Sequence, residues 1–344
     1  MNMFNIGPVK VKTPVVLAPL AGITCSPFRR MAKGYGASLV YSEMICANGI
    51  FYNNRNTHRL SYFEDVERPI ALQIFGDVPK NMAVAARYVE EAGADILDIN
   101  LGCPQAKIAK KGKGSGAALM QRPRVLKSVM KAVLGATNLP VTAKLRSGWS
   151  RVNALEVAKE LADMGVAAVA VHPRLGVQRF SGKSDWRVIA KVRDAVDVPI
   201  LGSGDLFTPV DCKKMMEETH CDAVMMARGI RGAPWNITRA IDLINGKEPT
   251  PPPSLETRLR VLRDLAGDML DYFETTSQRY KISNEDNLGK TMRDMRKFVH
   301  WFFKGCPKWL LERDGLLKLK TLEELDEFLE NATITYNQYT GPRK

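Results

Sequence analysis

Five short stretches of the chain carry residue types that could do chemistry. In Asp98-Ile-Asn-Leu-Gly-Cys-Pro104, Gly102 and Pro104 flank the Cys103 thiol and fix its loop. The ordinary fate of a free cysteine is to serve as a small buried hydrophobe. Cys25 and Cys46 also follow apolar runs, so position alone leaves three thiols open, and Asn100 with the basic run after Cys103 tilts the choice. Lys144 ends an otherwise apolar run, where an unpaired buried ammonium would be costly and an anionic partner is needed. His172 ends the next run; alone it reads as a satisfied core histidine, and beside Lys144 it reads as part of a site. Gly202-Ser-Gly-Asp205 and Ala227-Arg-Gly229 are glycine turns able to offer backbone N–H groups to a phosphate. Tight turns before helices would explain those glycines, but not Arg228. Metal chemistry finds no support: the six cysteines form no CxxC pair and the four histidines no HExxH. Gly289-Lys290-Thr291 resembles the end of a P-loop, yet Asn284 stands where that motif needs glycine.

The elements that must position these residues alternate along about 240 residues. Predicted strands are Val15–Ala18, Leu39–Ser42, Ile70–Ile74, Ile96–Asn100, Val141–Lys144, Ala168–His172, Ile200–Gly202 and Ala223–Met226. Most are continuously apolar, as parallel strands covered on both faces are. Helices are expected over Pro79–Ala92 with Asp77 as cap, Asn153–Met164, and Trp186–Val196. Eight strand–helix repeats predict an α/β fold, a (β/α)8 TIM barrel over residues 1–248. An open doubly wound sheet would carry its phosphate glycines after the first strand, and Pro19-Leu-Ala-Gly-Ile-Thr24 has no GxGxxG. In a barrel the chemistry lies at the carboxyl ends of the strands, with phosphates bound after strands seven and eight, which is where these stretches fall. Pro249-Thr-Pro-Pro-Pro253 reads as a stiff linker. Residues 254–344 then read as a small all-helical domain built from Leu255–Phe273, Asn284–Lys304 and Leu322–Glu330. Lys111-Gly-Lys-Gly-Ser-Gly116 is expected to be a mobile basic lid.

Composition narrows the partners. The chain has 344 residues, 45% hydrophobic and 25% charged, which excludes disordered and fibrous classes. No apolar run is long enough to span a membrane, and dispersed cysteines point to reduced thiols in the cytoplasm. A net charge of +13 makes polyanions the first partners to test, and +12 of it falls before residue 254. From Ile99 to Leu155 there is no acidic residue and there are eleven basic ones, Lys107 among them. Arg293, Arg296 and Lys297 share one side of a helix interleaved with Phe298, Trp301 and Phe302. One such cluster is usually a solvated face over buried aromatics; two could meet one phosphate backbone together.

The same residues, in order and spacing, resemble the tRNA-dihydrouridine synthases, most closely their bacterial B-type branch. The resemblance runs from Leu17-Ala-Pro-Leu-Ala-Gly22 through the Arg293–Phe303 helix. It rests on Asp98–Pro104 with Lys107 and Gly112–Leu119, on Ala71-Leu-Gln-Ile-Phe-Gly76, on Val141–Trp149, on Val171-His172 and on Met226-Ala-Arg-Gly229. It implies a flavin mononucleotide (FMN) enzyme that reduces the C5=C6 bond of uridines in folded RNA with NADPH, acting as a monomer. It further implies that Pro19, Leu20, Ala21 and Gln73 contact the isoalloxazine, with Lys144 at its N1/O2 edge. Ser203, Gly204, Asp205, Ala227 and Arg228 would hold the ribityl phosphate. Asn100 would orient the uracil, His172 and Arg174 line the pocket, and Cys103 protonate C5. Lys107, Arg293, Arg296 and Lys297 would meet RNA. The chain departs from the family pattern at Leu20, Cys25, Pro173, Ser203 and Ala227. Ribosomal RNA is the alternative substrate to tRNA. A flavin oxidoreductase of a free small molecule and a non-catalytic RNA-binding barrel are the rival functions.

Overall fold

The computed structural model describes residues 3–283, 285–305 and 318–340. Asn284, Cys306 and the end of the expected helical domain at 341–344 lie outside the described residues. The chain packs as two units, one of residues 1–229 and 237–250, the other of residues 230–236 and 251–344.

The first unit is an eight-stranded parallel barrel. A hairpin, β1 (Phe4–Ile6) and β2 (Val9–Val11), precedes the barrel strands β3 (Val15–Leu17), β4 (Val40–Cys46), β5 (Ile70–Phe75), β6 (Ile96–Leu101), β7 (Val141–Gly148), β8 (Ala168–Leu175), β9 (Ile200–Ser203) and β10 (Ala223–Met226). They pair in the order β3-β10-β9-β8-β7-β6-β5-β4. The ring closes where Leu17 N donates to Leu39 O at 3.0 Å and Ser38 N to Val15 O at 3.1 Å. All eight expected strands are present. β7 and β8 run three or four residues further than expected, because Arg146 and Arg174 continue the ladder as buried side chains.

Strand alternation sorts the residues. Leu97, Ile99, Leu101, Ala143, Leu145, Val169 and Val171 are buried on one face of their strands. On the other, Val16, Leu39, Ala71, Ile96, Ala168 and Ala223 form a core inside the barrel together with Ile6 and Val11 of the hairpin. That hairpin, absent from the sequence prediction, plugs the amino end: a Cβ at Gly7 would lie 3.0 Å from Cβ of Pro140, the residue before β7.

Helix starts are set locally. Thr208 and Asp211 form a capping box, with Pro209 next, for the helix Pro209–Thr219. The expected Asp77 cap is not made. Val78 caps Pro79–Glu91 without a side-chain bond, and Asp77 Oδ2 instead accepts from Arg122 Nη1 at 2.9 Å.

The second unit holds helices Leu255–Arg279, Asn287–Phe302 and Leu322–Thr340. Ser254 and Asp286 cap the first two by accepting from Thr257 N and Gly289 N. Arg263 ties the first to the third through Asp326 at 2.6 Å and Glu330 at 3.3 Å. The division falls at Thr250/Pro251, within the proline-rich stretch, but residues 230–236 also join this unit. The reason is aromatic: Arg231 lies 4.4 Å over the Trp301 ring and Trp235 meets Phe302 edge-on. Phe298 and Phe302 are core residues, so these two are packing and not an exposed stacking face, while Trp301 is half-buried under Arg231.

Candidate active site

Alternation beyond the apolar core brings a polar layer to the carboxyl ends of the strands. Gln73 on β5, Asp98 and Asn100 on β6, and Thr142, Lys144 and Arg146 on β7 follow one another at every second position. Register sets Gln73 beside Asp98, Asp98 beside Thr142, and Asn100 beside Lys144. Asp98, fully buried, accepts from Gln73 Nε2 and from Thr142 Oγ1, each at 2.6 Å. Gln73 Oε1 accepts from Asn100 Nδ2 at 2.7 Å. Asn100 Oδ1 in turn accepts the backbone N–H groups of Gly102 (3.0 Å) and Cys103 (2.9 Å), pinning the loop that carries the thiol.

The ionisable groups here are far from their behaviour in water. Burial raises Asp98 to about 6, against the opposing hydrogen bonds of Thr142 and Gln73 and the charge of Lys144. Lys144, deep in the barrel with part of its surface open to the mouth, falls to about 8 through burial and the neighbouring Arg146. Burial pushes the Cys103 thiol up, although Gln105 N–H, Arg146 and Lys144 favour its anion. At neutral pH Cys103 therefore holds its proton. Cys25 is buried with its thiol toward Ile23 O, Cys46 is half-buried at the end of β4, and the charges of Lys144 and Arg146 bear on Cys103.

Arg146 is almost wholly buried and spans the mouth, donating to Gly102 O at 2.8 Å and to Arg179 O at 2.6 Å. His172 is held well below its usual pKa by burial and by Lys144, Arg146, Arg174 and Arg228. Arg174 Nη1, which can only donate, lies 3.3 Å from His172 Nε2, so that nitrogen accepts and the ring proton sits on Nδ1.

The turns after β9 and β10 are tied together by Asp205. Its carboxylate accepts from Arg174 Nη2 at 2.7 Å, Arg228 Nη2 at 3.2 Å and Ser184 N at 2.8 Å. Ser203 Oγ donates to Met225 O. An anion in these turns would thus meet backbone N–H groups and the arginines that Asp205 orients, not the Asp205 carboxylate. A Cβ on Gly204 would lie 2.7 Å from the His172 ring, so this turn needs glycine. Arg228 lies between the rings of Phe180 and Phe207, 4.9 Å from each centroid. Ala227, the neighbour of Arg228, packs against the barrel core.

Pro19, Leu20, Ala21 and Gly22 form a turn on the same rim, closed by Ile23 N and Thr24 N donating to Leu20 O. Arg29 buttresses it from beneath by donating to Thr24 O at 2.6 Å while ion-paired with buried Glu67 at 2.5 Å. The expected lid folds onto the site. Gly112, Gly114 and Gly116 are buried, Ala117 N donates to Cys103 O at 3.1 Å, and a Cβ on Gly116 would meet Cys103 O at 2.6 Å. Only its lysines face out, with Lys107 exposed just before it.

Arg293, Arg296 and Lys297 belong to the second unit, and two have acidic neighbours: Asp286 lies 3.7 Å from Arg293, and Asp294 2.7 Å from Lys297. Sequence reasoning assigns no place in the site to Asp98, Thr142, Arg146 or Phe180. The first three are two residues from Asn100 or Lys144, so strand periodicity carried the signal. Nothing local marked Phe180. Among the described residues, no group of three or more His, Cys, Asp or Glu side chains could hold a metal ion, and no helix is long and apolar enough to cross a membrane.

Comparison with known proteins places this arrangement. Residues 16–337 match the family model described as dihydrouridine synthase. A tRNA-dihydrouridine synthase B from Xanthomonas axonopodis pv. citri is 35% identical over 307 residues, 88% of each chain. Another, from Pseudomonas aeruginosa, is 34% identical over 311 residues, 89% of each chain. A probable tRNA-dihydrouridine synthase from Rhodobacter capsulatus is 38% identical over 71% of this chain and 75% of its own. Among solved structures, a morphinone reductase in complex with tetrahydroNAD has a TM-score of 0.51 at 14% identity, covering 72% of this chain and 92% of its own. At that identity the likeness is one of barrel fold. With family model and relatives agreeing over nearly the whole length, the chain belongs to the dihydrouridine synthase family of oxidoreductases.

Proposed function

We propose that the enzyme reduces the C5=C6 bond of uridines in tRNA to dihydrouridine, with FMN as its bound cofactor and NADPH as reductant, acting as a cytoplasmic monomer. The observation that carries this reading is a protonated, loop-pinned thiol set beside a desolvated lysine and Arg146, with Arg174 and Arg228 next to Arg146, at the carboxyl end of a barrel.

The donor set suits a phosphorylated, anionic ring. Lys144, Arg146, Arg174 and Arg228 outnumber the carboxylates Asp98 and Asp205, and the Gly204 turn approaches too closely for a side chain. Gly204, Arg228 and the backbone beside Ser203, Asp205 and Ala227 would hold the phosphate, with Arg174 and neutral His172 behind them. The Pro19–Ala21 turn and Gln73 would meet the ring, and Lys144 would supply positive charge at its edge. When bound, FMN supplies the hydride for C6 of the uracil.

The chain's own residues do the rest. Asn100 has committed its oxygen to the Cys103 loop and one N–H to Gln73, and its other N–H, held only by the weak acceptor Met44 Sδ at 3.7 Å, would turn to orient the uracil. Cys103 holds the proton that C5 must receive, which is why a raised thiol pKa suits it to act as a general acid. A uridine stacked in folded RNA must be extruded to reach the mouth. Lys107 and the outward lysines of the folded lid, together with Arg293, Arg296 and Lys297, would bear on the phosphates during that extrusion.

The test separates the two halves of turnover. Cys103→Ala should keep flavin reduction by NADPH and lose dihydrouridine formation. Full turnover in that variant would remove Cys103 from the reaction. Mapping dihydrouridine in cells lacking the protein decides the substrate: loss confined to ribosomal RNA would overturn tRNA.

A further inference from the structure

We propose that Asp98 is a positioning residue: its carboxylate sets the direction of a hydrogen-bond relay, Asp98–Gln73–Asn100, that holds the Cys103 loop in place. The inference rests on the proposed reaction for its kinetic readout, but its structural basis does not depend on any ligand.

The direction of the relay is fixed at both ends. At one end stand the backbone N–H groups of Gly102 and Cys103, which can only donate. They force Asn100 to present Oδ1 to the loop and Nδ2 to Gln73. Gln73 must then present Oε1 to Asn100, leaving Nε2 to face Asp98. At the other end an ionised carboxylate can only accept, and it takes Nε2 on one oxygen and the Thr142 hydroxyl on the other. A half-turn of the Gln73 amide would set two NH2 groups face to face and an amide oxygen against a carboxylate. The contact with the carboxylate would be fully buried, out of reach of water, and the one with Asn100 half-buried. The relay's three members come from only two strands, and the acceptor at the base excludes the flipped state of Gln73 that the loop N–H groups could oppose only through Asn100. Loss of that acceptor leaves Gln73 Nε2 without its partner and the relay held from the loop end alone, which loosens Gln73, Asn100 and the loop they pin.

Asp98→Ala removes the acceptor. Asp98→Asn keeps one, because the new carboxamide oxygen still accepts from Gln73 while its NH2 donates to Thr142, whose hydroxyl can turn to accept. Combining Asp98→Asn with Thr142→Val preserves volume but removes that outlet, so the introduced NH2 is either unpaired or turned against Gln73. The expected results are near wild-type behaviour for Asp98→Asn, and a fall of about ten- to a hundredfold in uridine reduction by the reduced enzyme for Asp98→Ala and for the double variant. Flavin reduction by NADPH should fall clearly less than uridine reduction in the impaired variants, since Gln73 alone of the relay would meet the ring while Asn100 and the Cys103 loop face the uracil. Hydrogen exchange on the RNA-free enzyme should show faster exchange at Gly102 and Cys103 in the two impaired variants. The relay is overturned if Asp98→Asn is as slow as Asp98→Ala, since charge and not direction would then matter. It is equally overturned if the double variant keeps wild-type rate and exchange, or if both half-reactions fall together. A wild-type enzyme that reduces no RNA uridine would sink the functional reading instead, and the exchange measurement would still judge the relay.

Discussion

The two ends of the barrel are built on the same strands with the same alternation, yet they serve opposite purposes. At the amino end the inward positions are Val16, Leu39, Ala71, Ile96, Ala168 and Ala223, sealed by Ile6 and Val11 of the hairpin. Further along the strands, the inward positions are Asp98, Asn100, Lys144, Arg146, His172 and Arg174. Apolar burial stabilises by about 25 cal/mol per Å2 of surface removed from water, so the plugged end favours folding directly. The polar end holds a carboxyl raised to about 6, an ammonium lowered to about 8 and a guanidinium lowered to about 10. Each of those shifts means that the fold disfavours the charged form relative to water. The contrast teaches that stability and reactivity are separated along one axis, a few residues of alternation apart.

Substitutions can test that separation. The largest effect belongs to Cys103→Ala, expected to lower uridine reduction about 10^2- to 10^4-fold with little change in melting temperature. Ile6→Ala at the plug should do the reverse, costing about 2–4 kcal/mol of stability while turnover per folded molecule is unchanged. A plug variant with altered kinetics would break the distinction. Next is pH. Between about 8 and 10.5 the unfolded chain protonates Lys144 more fully than the folded one, so stability rises with pH in that window. Relative to Lys144→Met, the wild type should gain at most about 3 kcal/mol across it in denaturant titrations. A flat difference would mean that Lys144 is not desolvated as its surroundings imply. The smallest effect is electrostatic. Lys107→Ala should flatten the salt dependence of RNA binding by about one unit of slope. Lys297→Ala, whose ammonium already meets Asp294, should flatten it less.

Much of this was legible without coordinates. The eight strands showed as apolar runs, and the Gly204 turn and the Cys103 loop showed as glycine and proline flanking reactive types. What local patterns missed has a common cause. The plugging hairpin is too short to register as an element, with three residues per strand. Burial of the glycine-rich segment depends on the carbonyls of Ile108 and Cys103 lying against it, which composition does not reveal. The pairing of Arg293 with Asp286 was not visible at 293–297, because the two lie seven residues apart and meet only once the helix forms.

The sequence by itself determined which side chains face inward together, because alternation along a strand is a property of the backbone and has a period of two. It also determined where side chains are excluded, at turns that only glycine can make. Only the tertiary structure decided partners: that Asp98 takes Gln73 and Thr142, that Asp205 takes Arg174 and Arg228, and that Asn100 faces the Cys103 loop. Those pairings depend on the stagger between strands distant in sequence. Stagger is set by closing the ring, and no local pattern encodes it.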